Sequence, residues 1–238
     1  MSLQNKTILV TGASKGIGRA LALLLADKGV NLSLVARSEA ELVSLKSEIE
    51  AKGAKAEIFV GSVGDDVFVK ACISATIEIF GKIDALINNA GFGIFKQASD
   101  ISTEEWDSIY ETNVKGTFLF CREAIPFMKS AGEGHIINIA SDVAKRVFDG
   151  GSLYCSSKYA QDAFSMALRK EVRKDGIKVS VVYSGLVDTY FHTREEGDPY
   201  QAKYLTSQNM ADTITYILEA PKHVVIDELM IHPMSQDY

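Results

Sequence analysis

Cysteine, proline, tryptophan and basic charge are all scarce in this chain. Its 238 residues include 3 cysteines, 4 prolines and 1 tryptophan. Cys72, Cys121 and Cys155 stand far apart and form no C-x-x-C pair. That spacing excludes a disulfide framework and a thiolate metal site. An odd number of cysteines reads as free thiols in a reducing compartment, so the cytoplasm is the expected location. Four histidines, His135, His192, His223 and His232, show neither H-x-x-H nor H-E-x-x-H spacing, and no metal is expected. The 25 basic residues are outnumbered by 31 acidic ones, for a net charge of -6. With no basic run either, nucleic acid is not an expected partner. No apolar run approaches the roughly 20 residues that span a bilayer, so no membrane is expected. Positions 1–6 are polar and carry no apolar signal region.

What is there points to a packed enzyme core. The hydrophobic share is 47% and the charged share 24%, both near the globular average. Short apolar runs alternate with longer amphipathic ones. Strands are expected over 7–10, 31–36, 56–60, 85–88, 135–140, 178–183 and 224–231. Helices are expected over 16–27, 39–51, 66–80, 103–113, 117–129, 153–174 and 210–219. Such alternation implies parallel strands joined by crossover helices. The expected architecture is α/β: a three-layer Rossmann fold, with a doubly wound parallel sheet of about seven strands and helices on both faces. No repeat or linker interrupts it, so residues 1–238 read as a single domain.

The first strand runs into T-G-A-S-K-G-I-G at 11–18. Gly12, Gly16 and Gly18 let the backbone turn sharply and approach a pyrophosphate, while the following helix offers unpaired N–H groups to it. Ser14, Lys15 and Ile17 belong to the same turn. The second strand ends in Ala36-Arg37-Ser38, where a site for NAD usually carries an acid to bond the ribose 2′-hydroxyl. Arg37 suits a 2′-phosphate instead, with Lys15 as a second cation and Ser38 as a donor. NADP(H) is therefore the expected cofactor; the plainer reading of Arg37 is a solvated residue at a helix start.

Tyr154 and Lys158 stand four apart in an expected helix and so share a face. A neighbouring ammonium lowers a phenol's pKa, which suits the tyrosine to general acid–base work. Further along lie N-N-A-G at 88–91, N-V-K-G at 113–116, I-A-S ending at Ser141, and Y-C-S-S-K at 154–158. With the glycine turn, these motifs stand in the order and spacing of the short-chain dehydrogenase/reductase family, which the chain resembles along essentially its whole length. The resemblance implies a catalytic tetrad of Asn113, Ser141, Tyr154 and Lys158. Ser141 would orient the substrate oxygen beside Tyr154, and Lys158 would bind the nicotinamide ribose. Asn113 would kink its helix and hold a water that links Lys158 to bulk solvent. Asn89, Ala90 and Gly91 would pass under the cofactor. Gly185, Val187 and Thr189 would close over the nicotinamide amide. The implied activity is reduction of a small ketone or aldehyde to an alcohol in a homodimer or homotetramer.

The chain departs from the family pattern at three places. Ser184 replaces a usual proline, which restores an N–H donor and implies a looser turn or a new polar contact. Ser62 replaces a usual aspartate, leaving the adenine to pack on Val63. The usual D-G-G ending is missing, and the C-terminus is more similar to the sepiapterin-reductase-like branch. The polar, aromatic stretch 190–208 reads as a substrate lid or as an ordinary surface loop. Phe92, Phe95, Phe148, Tyr190 and Phe191 read equally as a pocket wall or as packing. Two enzyme alternatives stand beside the general one, a 3-oxoacyl-[acyl-carrier-protein] reductase and a sepiapterin-type reductase. A non-catalytic dinucleotide-binding regulatory module is the alternative of another class.

Overall fold

In the computed structural model, which describes residues 2–192 and 196–237, strands and helices alternate from the start. β1 (Thr7–Thr11), α1 (Gly16–Asp27), β2 (Asn31–Ala36), α2 (Glu39–Ala51) and β3 (Ala56–Val60) form the first half. α3 (Asp66–Phe80) leads to β4 (Ala85–Asn88). α4 (Thr103–Tyr110) and α5 (Gly116–Ala131) lead to β5 (Gly134–Ser141), and α6 (Ser152–Val172) leads to β6 (Ile177–Ser184). A short pair, β7 (Val187–Asp188) with β8 (Leu205–Thr206), precedes α7 (Ser207–Glu219) and β9 (Glu228–Ile231).

The seven longer strands make one parallel sheet in the order β3-β2-β1-β4-β5-β6-β9. Helices cover both faces, so each strand is apolar on both sides. Ile8, Val10, Leu34, Ile87 and Val182 pack with Leu21, Leu45 and Ile214 from α1, α2 and α7. Their strand neighbours Leu9, Val35, Leu86 and Val179 face the other way, onto Ile73, Phe120 and Leu168 from α3, α5 and α6. Alternation along each strand thus feeds two cores. Strand order reverses between β1 and β4, and a crevice opens there beyond the carboxyl ends of the strands.

Three boundaries differ from the sequence expectation. The helices expected over 103–113 and 117–129 are joined by a π turn, Glu111–Lys115, and α5 follows it directly at Gly116. A Cβ on Gly116 would lie 2.7 Å from Val63 Cγ2, so only glycine lets α5 sit this close to β3's exit loop. α7 starts at Ser207 rather than 210, because Thr206 and Asn209 close a capping box there. The last strand is Glu228–Ile231 and not 224–231. The preceding residues are held as a loop by Lys178 Nζ on Val224 O at 2.6 Å and Arg169 Nη2 on Asp227 O at 2.6 Å. Of the stretch 190–208, positions 193–195 lie outside the described residues. The rest carries two short 3-10 turns and β8. Among the described residues no helix is long and apolar enough to cross a membrane.

Candidate active site

The crevice is a cleft of about 660 Å3. Its floor at one end is the turn after β1. Gly12 and Gly16 take φ of 66° and 52°, a region that strains any residue with a Cβ. Gly18 is tighter still, because a Cβ there would meet Gly12 O at 2.3 Å and Asn89 Nδ2 at 2.7 Å. β4 is stitched to this turn. Thr11 Oγ1 accepts the N–H groups of Asn89 and Ala90, both at 3.0 Å. Asn89 Nδ2 donates to Thr11 O at 3.0 Å and Gly12 O at 3.2 Å. At the start of α1 no side chain caps the helix and no acid lies in the first turn. Its unpaired N–H groups and positive dipole end therefore suit an anion such as a pyrophosphate.

Arg37 and Lys15 line the same end. Lys15 Nζ pairs with Glu41 Oε1 at 2.8 Å and lies 4.9 Å above the Tyr190 ring. The sequence reading took Lys15 as a cation for the 2′-phosphate; the structure gives it a carboxylate and an aromatic face. Arg37 is exposed and has no ion-pair partner among the described residues.

At the other end Ser141 finishes β5 and faces Tyr154 from α6. The Ser141 hydroxyl stands beside the phenol and favours its ionised form. The one Ser141 hydroxyl proton has two acceptors within reach, Asp142 Oδ1 at 3.1 Å and Ser184 O at 3.3 Å. Burial pushes the Tyr154 phenol above its ordinary pKa, against the opposing pull of Ser141. The expected lowering by Lys158 is not what the geometry shows. Lys158 Nζ lies 6.0 Å from the Tyr154 ring centroid and donates to Ile139 O and Gln161 Oε1, both at 3.0 Å. Burial instead holds the Lys158 ammonium itself down to about 8.

Asn113 sits in the π turn and is fully buried. The expected helix irregularity is this turn. Its side chain accepts from Phe92 N at 3.1 Å and donates to Phe92 O at 2.9 Å and Ser157 Oγ at 3.1 Å. Asn113 therefore ties the loop after β4 to α6. It meets Lys158 indirectly, through Gln161 Nε2 on Thr117 Oγ1 at 2.9 Å and Thr117 Oγ1 on Asn113 O at 3.0 Å.

Of the residues singled out in the sequence, Gly12, Ser14, Lys15, Gly16, Ile17, Arg37, Ser62, Val63, Asn89, Ala90, Gly91, Ser141, Tyr154, Lys158, Gly185, Val187 and Thr189 all line the one cleft. Gly18, Ser38 and Asn113 stand behind its wall. Gly18 sets how closely α1 approaches the turn, and Ser38 starts α2 without capping it. At Ser184 the strand runs on instead of loosening. Ser184 pairs with both Ser141 and Ile231, and its carbonyl, which a proline would offer as well, lies 3.3 Å from Ser141 Oγ.

Sequence reasoning missed Asp142, Gln161 and Gln236. Asp142 is buried, and its Oδ2 takes Arg146 Nε at 2.8 Å and Gln236 Nε2 at 2.8 Å. Gln236 Oε1 in turn accepts from Leu186 N at 2.7 Å. A Cβ on Gly185 would lie 2.2 Å from that oxygen, so the C-terminal segment is packed tightly against the 184–187 loop. No local pattern announces a contact between positions 142 and 236.

The family model described as short chain dehydrogenase matches residues 6–199. The chain belongs to the short chain dehydrogenase family. This short chain dehydrogenase is similar to an uncharacterized oxidoreductase of Staphylococcus epidermidis, 34% identical over 98% of this chain and 99% of that one. Among solved structures it is similar to an alcohol dehydrogenase of the archaeon Thermococcus sibiricus complexed with 5-hydroxy-NADP. That pair has a TM-score of 0.93 and 30% identity over 98% of each chain. A metagenomic short-chain oxidoreductase in complex with NADP gives a TM-score of 0.87 and 28% identity over 99% of this chain and 100% of that one. Oxidoreduction is the chemistry the family assigns to this short chain dehydrogenase.

Proposed function

We propose that the protein is an NADP(H)-dependent carbonyl reductase, with Tyr154 as general acid and base. The observation that carries this reading is the meeting of the Ser141 and Tyr154 hydroxyls in one cleft with an uncapped, glycine-cradled helix start and the exposed Arg37 guanidinium. The cleft residues fit a dinucleotide. The N–H groups of α1 suit its pyrophosphate, Arg37 suits a 2′-phosphate, and Ser62 and Val63 lie at the adenine end. The NADP-bound relatives support the same choice.

When bound, the cofactor supplies hydride to a carbonyl carbon. Ser141 donates a hydrogen bond to the carbonyl oxygen and holds it beside Tyr154. Tyr154 is protonated well beyond neutral pH because of its burial, so it has a proton to give to that oxygen. Lys158, anchored by Ile139 O and Gln161, would hold a ribose hydroxyl of the bound cofactor. Asn113 keeps Gly91 and Phe92 in place; a Cβ on Gly91 would lie 3.1 Å from Asn113 Oδ1 and 3.6 Å from Lys158 Nζ. Residues 190–208 act as the lid in this reading.

One domain, a cytoplasmic setting and a homodimer or homotetramer complete the proposal. The three buried thiols suit a reducing compartment. Half-exposed Trp106, Phe118, Phe127 and Tyr159 on α4, α5 and α6 suit a face shared between copies. The test follows NADPH and NADH oxidation with a panel of aldehydes, ketones, diketones and acetoacetyl thioesters. NADPH-dependent turnover that Tyr154→Phe abolishes, with NADPH binding retained, is the expected result. Binding without turnover on the whole panel would instead favour a regulatory module.

A further inference from the structure

Gln236 joins two parts of the reacting end that the chain order keeps apart. Its Oε1 accepts from Leu186 N at 2.7 Å, and its Nε2 donates to Asp142 Oδ2 at 2.8 Å. Leu186 N can only donate and the Asp142 carboxylate can only accept, so the two partners fix which way the amide points. A bridge between them needs one side chain that both accepts and donates. A carboxylate at this position would meet only the first partner, and an apolar side chain neither.

The bridge is held from both sides. Gly185 N donates to Ile231 O at 2.8 Å, and Gln236 N closes a turn onto Pro233 O at 3.0 Å. Ser235 Oγ donates to Lys203 O at 2.9 Å. Residues 231–236 thus lie as a strap along the loop 184–187. Gly185 leaves room for it, since a Cβ there would lie 2.2 Å from Gln236 Oε1 and 2.6 Å from His232 Cδ2. Asp142 is buried, its Oδ1 lies 3.1 Å from the Ser141 hydroxyl, and its Oδ2 also takes Arg146 Nε at 2.8 Å. The amide therefore fastens the loop to the residue beside Ser141.

The position of the loop gives this bridge a use. Ser184, Gly185, Leu186 and Val187 line the cleft together with Ser141 and Tyr154. A dinucleotide whose pyrophosphate rests on the start of α1 must bring its hydride-bearing ring beside those two hydroxyls, and so against this loop. A loop that is already fixed needs no ordering when the ring arrives, and binding is stronger for it. We infer that Gln236 is a positioning residue for the reductant, holding the loop 184–187 in the shape that receives the nicotinamide. This rests on the NADP(H) reading and adds to it a residue far along the chain from the glycine turn.

Calorimetric titration of the full chain compares NADPH with adenosine 2′,5′-bisphosphate, which keeps the phosphates of the adenosine end and lacks the nicotinamide. Gln236→Leu removes both bonds and is expected to weaken NADPH about tenfold, while the bisphosphate changes by less than about twofold. Gln236→Glu keeps the bond to Leu186 N but sets two carboxylates face to face, and is expected to weaken NADPH about fivefold. Asp142→Asn combined with Gln236→Glu turns the bridge round: the new amide at 142 donates, and the new carboxylate at 236 accepts from it and from Leu186 N. The pair is expected to bring NADPH back to within about twofold of the parent. Equal weakening of both ligands in Gln236→Leu marks a merely structural residue and overturns the inference. Unchanged NADPH affinity in that variant overturns it too, as does a pair that restores nothing. Should Gln236→Leu fail to fold, Gln236→Glu against the pair decides the matter. A bisphosphate that does not bind the parent protein sinks the NADP(H) reading itself; one that binds, with NADPH indifferent to position 236, sinks this inference alone.

Discussion

Lys158 is a charge that the fold holds at a loss. Burial moves its pKa from 10.5 to about 8. The unfolded chain keeps this proton up to about pH 10.5, and the folded chain only to about pH 8. The penalty is therefore fully present below pH 8, shrinks as pH rises, and is gone above about pH 10.5. At pH 7 it amounts to about 3 kcal/mol. Lys158→Met removes it, together with the bonds from Nζ to Ile139 O and Gln161 Oε1. Those two bonds are worth about 1 kcal/mol each. The substitution should thus stabilise the cofactor-free protein by about 1 kcal/mol at pH 7. At pH 9.5 the penalty has fallen by about 2 kcal/mol, so the same change should cost up to about 1 kcal/mol. Urea denaturation of both proteins at the two pH values measures this, and every titrating group they share cancels in the difference. Turnover should be lost in the variant throughout. A variant less stable than the parent at pH 7, with a difference that does not move with pH, would refute the reasoning.

Three other outcomes are expected. Gly18→Ala forces a Cβ to within 2.3 Å of Gly12 O, a backbone atom that cannot step aside. It should lower stability by about 2 kcal/mol in thermal unfolding and weaken NADPH in a fluorescence titration. Arg37→Asp should cut NADPH affinity about a hundredfold and leave NADH little changed, measured as the ratio of kcat/KM for the two cofactors; an unaltered ratio would remove Arg37 from the 2′-phosphate site. His135 is buried against Ser180 Oγ at 2.8 Å, and burial pushes its pKa to about 3. The unfolded chain takes up that proton near pH 6.5, so stability is full above that value and is lost as pH falls toward 3. His135→Gln should shrink the loss between pH 7 and pH 5 by about 2 kcal/mol in denaturant titrations.

Most of the sheet was legible because its strands are buried on both faces and read as unbroken apolar runs, as in V-S-V-V-Y before Ser184. The glycine turn was legible for a different reason, since its conformations exclude other residues. Short or irregular pieces were not. β7 and β8 have two residues each and no period to detect. The π turn at Glu111–Lys115 looks helical in sequence, and only the packing of Gly116 on Val63 sets its extra residue. At the site, Tyr154 came from its spacing to Lys158, and Ser141 and Asn113 from the family resemblance. The pairing of Lys15 with Glu41 was not legible, because Glu41 lies on the next helix, where spacing along the chain says nothing of distance. The expected effect of Lys158 on Tyr154 presumed contact between neighbours on a helix face, whereas the fold aims the ammonium at Ile139 O. The Asp142–Gln236 contact spans so much chain that only the folded molecule reveals it.

The cleft divides along the chain. Its cofactor end is built mainly from the first three strands and the loop after β4, between Gly12 and Phe92. Its reacting end is built mainly from the stretch between Ile139 and Gln236, with Phe95 edge-on to Tyr154. A change at Phe148 or Arg146 lies away from the glycine turn and from Arg37. The two ends can therefore drift at different rates, and a lineage can exchange one carbonyl for another while its grip on the reductant stays intact. The same seam is where an engineer would cut: libraries confined to positions such as Phe148 and Arg146 should yield new substrate ranges from proteins that still load their cofactor.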